Sequence, residues 1–204
     1  MSSIKMWLTQ STSPFTKKEK IKLAIWLVIQ KTLFRIIPHK FNFFRIRLLK
    51  LFGAKIKSNC FIHPSATIYM PWNFEMGEYS SIDFDSIIYS LGKVKIGNYV
   101  SISYKTNINT GSHDISDPEF KLLTKETFIC DGAFIGTESY LSPGVKIGIM
   151  SVIGARSVVT KAMNEILLQD REIMRTNSKK LAQTYDWKNI ALKFKKLFDK
   201  LLEN

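Results

Sequence analysis

The stretch IGTESYLSPGVKIGIMSVIGARSVV, Ile135 to Val159, sets an aliphatic residue at every sixth position: Ile135, Leu141, Ile147, Ile153 and Val159. An amphipathic helix would repeat at three and four residues, and an ordinary sheet at two. A period of six fits neither. It marks a parallel β-helix, in which each hexad forms one flat side and a tight turn, and three sides close a coil around the aliphatics. The phase already holds at Ile129, one hexad earlier, and strands scattered through a sandwich would not keep it to Val159. Two residues before each aliphatic stands a small or β-branched residue: Ala133, Ser139, Val145, Ser151, Ser157. These are expected to lie beside the interior aliphatic, where space is short. Glycine follows the aliphatic at Gly136, Gly148 and Gly154.

The same rhythm runs upstream in two other phases. Ile56, Ile62 and Ile68 stand six apart with Phe74 in the next slot, and after an irregular stretch the period resumes at Ile96, Ile102 and Ile108. Ala54, Cys60 and Ala66, then Val94, Val100 and Thr106, hold the small position. Ile129 follows Ile108 by 21 positions, so an excursion over 109–128 leaves the coil and returns in a new phase. It opens with NTGSHDISDP, Asn109 to Pro118, and carries His113, one of three histidines in the chain.

Helical segments flank the repeats. Residues 20–37, KIKLAIWLVIQKTLFRII, predict a helix stopped by Pro38. Its longest unbroken apolar run, Leu23 to Ile29, is seven residues, whereas a membrane span needs ~20. Such a helix is expected either to pack on the rest of the protein or to lie in a membrane interface, with Lys22, Lys31 and Arg35 as headgroup contacts. A second helix, FNFFRIRLLKLFG, puts Phe41, Phe44, Leu48, Leu49 and Phe52 on one face and stops at Gly53. Near the C-terminus, DWKNIALKFKKLFDKLLEN predicts a helix with Trp187, Ile190, Phe194, Leu197 and Leu201 on one side. The expected organisation is a basic helical region over 1–53, a β-helix over 54–161 and a helical tail over 162–204.

Composition narrows the function classes. The 204 residues, 45% hydrophobic and 12% aromatic, describe a folded chain with enough length for a sizeable core. The net charge of +13 is uneven: residues 1–55 hold 12 Lys/Arg against Glu19 alone, whereas residues 56–161 hold 9 against 10 acids. A nucleic-acid binder would carry its cations on the folded recognition surface. Here they sit on the flank, which suits an anionic membrane surface or an anionic cofactor, and no nucleic-acid partner is expected. Two cysteines, Cys60 and Cys130, make no disulfide framework, and no secretory leader is read; the expected setting is the reducing cytoplasm.

Hexads combined with TGSHD and IGARSVVTK resemble the hexapeptide-repeat O-acetyltransferases, left-handed parallel β-helix enzymes that use acetyl-CoA. LLKLFGAKI before the first coil and PWNFEMGEYSSI further on are similar to the branch that acetylates sugars in exopolysaccharide synthesis, of the colanic-acid type; galactoside and maltose acetyltransferases are related. The resemblance covers about Trp26 to Lys161. It implies a mainly β fold, a homotrimer, acetyl-CoA as co-substrate, and a sugar or polysaccharide precursor as acceptor. In such enzymes the excursion projects from one edge, carries the catalytic histidine and completes a cleft against the neighbouring subunit.

By that resemblance His113 is the general base, taking the proton of the acceptor hydroxyl as it attacks the thioester and passing it to the leaving thiolate, with backbone donors for the oxyanion. The acceptor contact falls on Asp83, with Asp85 able to serve instead; either could accept from the sugar or orient His113, or be a solvated turn residue. CoA contacts fall on Thr137 and Ala155, and Thr160 and Lys161 close the stack where the nucleotide phosphates would lie. His63 should point outward from a coil with a structural role, and His39 reads as a turn or cap residue. The three histidines stand in unrelated contexts without paired ligand spacing, so no metal site is expected. One feature departs from the family: after SVVTK the relatives' Gly-x-Pro turn is missing, and MNEILLQDREIMRTNSKKLA follows instead. That departure leaves open a catalytically inactive β-helix scaffold, and the basic flank leaves open a membrane-surface protein.

Overall fold

Three columns of interior side chains run through the molecule. Ile56, Met76, Ile96, Ile129 and Ile147 lie in register on the first side. Ile62, Ile82, Ile102, Ile135 and Ile153 do so on the second. Ile68, Ile88, Ile108, Leu141 and Val159 do so on the third. The computed structural model describes residues 14–114, 116–117 and 120–160. Lys161 and the expected C-terminal helix lie outside the described residues.

The columns belong to three parallel five-stranded sheets, which wind into five coils of the left-handed parallel β-helix. The first side consists of β1 (Lys55–Ile56), β4 (Phe74–Met76), β7 (Val94–Ile96), β12 (Thr127–Ile129) and β15 (Lys146–Ile147). The second consists of β2 (Phe61–Ile62), β5 (Ser81–Ile82), β8 (Ser101–Ile102), β13 (Phe134–Ile135) and β16 (Val152–Ile153). The third consists of β3 (Thr67–Ile68), β6 (Ile87–Tyr89), β9 (Asn107–Asn109), β14 (Tyr140–Leu141) and β17 (Val158–Val159). Strands this short gain nothing alone; each is held by the coil above and the coil below. Of the fifteen stacked residues only Ile153 falls outside the buried class, and truncating a buried one to Ala typically costs ~2–5 kcal/mol.

The irregular stretch of the sequence is a regular coil. Met76, Ile82 and Ile88 keep the six-residue step, but Met76 follows Ile68 by eight positions and Ile96 follows Ile88 by eight. Both extra pairs lie at the third corner, between the third side and the next coil's first side, and shift the phase by two. Phe74 is buried, as its slot predicts. It nevertheless pairs with Val94 and not with an interior aliphatic, and so occupies the position two before Met76.

The small position has a hydrogen-bonding role as well as a steric one. At the first corner Cys60 Sγ donates to the Gly77 carbonyl and Ser80 Oγ to that of Gly97, each at 2.8 Å. At the second, Ser86 donates to Ser103, Thr106 to Gly136 and Ser139 to Gly154. Each hydroxyl or thiol satisfies a turn carbonyl of the next coil that lies outside the strand ladder. Coils approach closely there: a Cβ on Gly136 would stand 2.6 Å from the Ala155 nitrogen.

Helices close the open edge of the first coil. α1 (Lys17–Lys31) begins at a capping box between Thr16 and Glu19, then breaks at Thr32, whose hydroxyl donates back to the Val28 carbonyl at 2.7 Å; α2 (Leu33–Ile36) follows. The helix expected over 20–37 is therefore two. α3 spans Asn42–Leu51. Edge strands present unpaired backbone groups, and polar side chains from the helices take them. Trp26 Nε1 and Gln30 Nε2 donate to the Ile68 carbonyl, Asn42 bridges the Cys60 carbonyl and the Ile62 N–H, and Arg45 Nε donates to the Ile62 carbonyl. The buried face of α3 is thus Arg45 and Leu49 with Leu48 and Phe52 beside them, while Phe41 and Phe44 are half exposed. The face expected from apolar spacing is corrected here, because Arg45 is drawn inward by the carbonyls it serves.

Candidate active site

The excursion is a hairpin set on the third corner, where the two-residue insertions also fall. β10 (Gly111–His113) pairs antiparallel with β11 (Leu122–Thr124), placing His113 opposite Leu122. Its base is pinned from below. Asn109 Oδ1 accepts from Gly111 N at 2.8 Å while its amide donates to the Tyr140 hydroxyl. Buried Thr110 donates through Oγ1 to the Tyr89 carbonyl and accepts from Gly92 N. Gly111 is packed so closely on Leu91 that any Cβ would collide with it.

His113 is exposed, and its ring is nonetheless fixed. Nδ1 lies 2.8 Å from the Phe120 carbonyl, and the imidazole stacks on the Phe120 ring with centroids 4.4 Å apart and planes within 7°. A carbonyl only accepts, so Nδ1 carries the proton and Nε2 presents its lone pair. Asp114 turns its carboxylate to Ser116, accepting from N and Oγ, which holds it below the usual carboxylate range.

Four of the remaining expected site residues, Asp83, Asp85, Thr137 and Ala155, lie at the second corner, between the second and third sides. Asp83 Oδ1 accepts from Phe84 N at 2.7 Å. Asp85 sits at φ 56° and donates its N–H to Ser65 Oγ. Asp85, Lys105, Glu138 and Arg156 occupy one left-handed turn position in successive coils, a column of alternating charge in which Arg156 and Glu138 pair at 2.7 Å. The adjoining column is Phe84, Tyr104, Thr137 and Ala155. Phe84 and Tyr104 stack at 4.7 Å with planes within 3°. Above them the column narrows to half-buried Thr137, whose carbonyl accepts from Arg156 N, and exposed Ala155. Side chains in this column are large over two coils and small over the next two. Thr160, half-buried, follows β17 at the end of the third side.

Within one chain the third side separates His113 from the Asp83, Asp85, Thr137 and Ala155 corner. The His113 ring is held by the Phe120 carbonyl, so neither aspartate is needed to orient it. Sequence reasoning missed Phe120, Asn109 and Thr110: the first acts across a hairpin turn, and the other two look like ordinary loop residues. It also missed that His39 and His63 meet, with ring centroids 4.6 Å apart, beside Phe61 and Phe84. His63 Nδ1 accepts from Ser65 N, the reverse of the tautomer at His113. Burial first, then the His39 charge, pushes the His63 pKa down. Among the described residues no cluster of His, Cys, Asp or Glu could hold a metal.

Five coils of hexads with a histidine hairpin at one corner define a class, the hexapeptide-repeat acyltransferases. The chain is 38% identical over 143 residues to the provisionally named colanic acid biosynthesis acetyltransferase WcaF of Escherichia coli K12, covering 70% of this chain and 79% of that one. It is 31% identical over 124 residues to a galactoside O-acetyltransferase of Lactococcus lactis, covering 57% and 58%. In fold it matches a maltose O-acetyltransferase of Clostridium difficile 630 (TM-score 0.64, 23% identity, 78% of this chain and 86% of that one). It matches a galactoside acetyltransferase in complex with coenzyme A equally well (TM-score 0.66, 22% identity, 79% and 82%). No protein-family model matches the chain. The chain belongs to the hexapeptide-repeat acetyltransferases, in the branch of the colanic acid biosynthesis acetyltransferases.

Proposed function

We propose that the chain transfers an acetyl group from acetyl-CoA to a sugar hydroxyl of a surface polysaccharide or its precursor, in the cytoplasm, as a homotrimer. The observation that carries this reading is the fixed tautomer of His113. With Nδ1–H held by Phe120, Nε2 is available to accept the hydroxyl proton as the new C–O bond forms to the acyl carbon. When the C–S bond breaks, the same proton passes from Nε2 to the departing thiolate. The products are an acetyl ester and free CoA, with no covalent enzyme intermediate.

The second corner supplies the ligand contacts in this reading. Thr137 and Ala155 are small enough to leave a channel for the pantetheine arm, Thr160 lies toward its nucleotide end, and the Tyr104–Phe84 stack forms the channel floor; Lys161, outside the described residues, would give its charge to the phosphates. Asp83 receives the acceptor sugar's hydroxyl; Asp85, spent in the charge column, serves mainly the turn. His113 from one subunit then faces the second corner of its neighbour. Free Cys60 and Cys130 fit a reducing compartment.

Replacing His113 by Ala should lower turnover with acetyl-CoA and a verified acceptor by ~10²–10⁴-fold. The hairpin lies outside the hexads, so the melting temperature should barely move. Near-normal turnover in His113→Ala would remove the base from this assignment.

A further inference from the structure

The two long N-terminal helices are apolar on both faces. One face is accounted for: Trp26 of α1 and Leu49 of α3 are fully buried against the end of the solenoid, with Phe34 of the short α2 between them in the chain. The other looks away from it. On α1, Ile21, Ile25 and Val28 are each at least half exposed and stand four and three residues apart, a continuous outward stripe. Around the start of α3 the rings of Phe41, Phe43 and Phe44 cluster with each side chain 47–49% exposed, Phe43 and Phe44 at 4.0 Å. Monomeric soluble domains seldom expose contiguous apolar surface of this kind without a partner.

Charge identifies the occupant. Over residues 14–51 the chain holds ten Lys and Arg against one acid, Glu19, whose carboxylate is engaged in the Thr16 capping box. Lys40, Arg47 and Lys50 are exposed on the same segment, and the Arg47 guanidinium lies 6.0 Å above the Phe43 ring. Lys22, by contrast, turns inward over Trp72 at 4.5 Å and is not part of this surface. Docked on a copy of itself, such a face would meet like charge, and residues 56–161 are nearly neutral overall. Aromatic rings among cations suit the boundary between acyl chains and anionic headgroups. No helix among the described residues is long and apolar enough to cross a membrane. We propose that the outward face of α1 and α3 lies on an anionic phospholipid bilayer, with the phenylalanines at acyl-chain depth and the cations at the headgroups.

The test is co-sedimentation of the full chain with phosphatidylcholine vesicles, with and without about one third phosphatidylglycerol. Binding should require the anionic lipid and weaken severalfold at about 0.5 M salt. The triple variant Lys40→Gln, Arg47→Gln, Lys50→Gln should bind on the order of a hundredfold more weakly, at about fivefold per cation. Phe43→Ser with Phe44→Ser should abolish the binding that survives salt, with an unchanged circular dichroism spectrum. Equal binding to neutral vesicles, or no loss in either variant, would overturn the proposal. So would the absence of vesicle binding together with a lower light-scattering mass in the Phe43→Ser, Phe44→Ser variant, which would make this face a contact between copies.

Discussion

Arg45 shows how a single residue can finish a fold. It is fully buried, and its guanidinium serves the carbonyls of Ile62, Ile37 and Pro38 together with Asn42 Oδ1. One planar fork thus joins the first coil, the Pro38 turn and α3. Arg45→Met should destabilise the protein by about 2–4 kcal/mol, since an unsatisfied buried polar group costs ~1–3 kcal/mol and water can reach only some of these. Arg45→Lys should recover little, because a point charge cannot reproduce the fork. Urea unfolding of the three proteins measures both. None of this was legible in the sequence: Arg45 sits in an apolar helical pattern, and its partners are carbonyls of the preceding turn and of an edge 17 positions on. His113 was legible, because a break in a strict period draws attention to what it carries. The Phe120 carbonyl that sets its tautomer was not, since any residue has a carbonyl.

At the scale of elements, the coils were readable wherever the period was undisturbed. They were hidden wherever the third corner gained two residues, because a shift of two moves each aliphatic out of the counted slot. Met76, Ile82 and Ile88 were lost that way. The linker between α2 and α3 holds a contact that the sequence did not show: His39, in the turn as expected, rests on His63 of the second corner. That contact has a pH consequence. In the native state Nδ1 of His63 accepts from Ser65 N, so protonation there would break the turn, and burial with the His39 charge lowers the pKa. The unfolded value is about 6.5. As the pH falls through it, the unfolded chain binds more protons than the native one, and stability drops. The melting temperature should therefore fall between about pH 7.5 and pH 5.5, and His63→Gln should flatten that slope. An unchanged slope would mean that Asp83 and Asp85, whose charges act in the opposite direction, offset the burial.

For the whole molecule, the placement of the candidate groups on two corners makes a specific demand. If His113 works with the second corner of a neighbouring subunit, two kinds of dead subunit should repair one another. His113→Ala lacks the base, and Thr137→Trp would fill the channel above Tyr104. Mixed and reassembled in equal amounts, they should regain about a quarter of wild-type activity, as expected when each site in a cyclic trimer draws on two chains at random. No recovery, or a monomer mass by light scattering with activity intact, would place the whole site within one chain. The solenoid itself was written in the hexads. The placement of the candidate residues on separate corners was not, because a period tells which residues face inward and says nothing of which corner meets which ligand.

The third corner has the widest consequence. Its connections span from eight positions in the first coil to 21 in the third and six in the fourth, while the interior columns stay in register throughout. Length there is absorbed outside the ladder, so beyond its pinned base at Asn109–Gly111 the size and composition of the hairpin are free variables. The second corner has less freedom, since its connection is six positions in every coil and its Ser and Thr side chains bond one coil to the next from Ser86 onward. If His113 is the base proposed above, the third corner can diversify, acquiring a new acceptor preference or losing the base, while the rest of the molecule is held to the same pattern. Substrate range and thermal robustness can then drift independently in descendants of this chain.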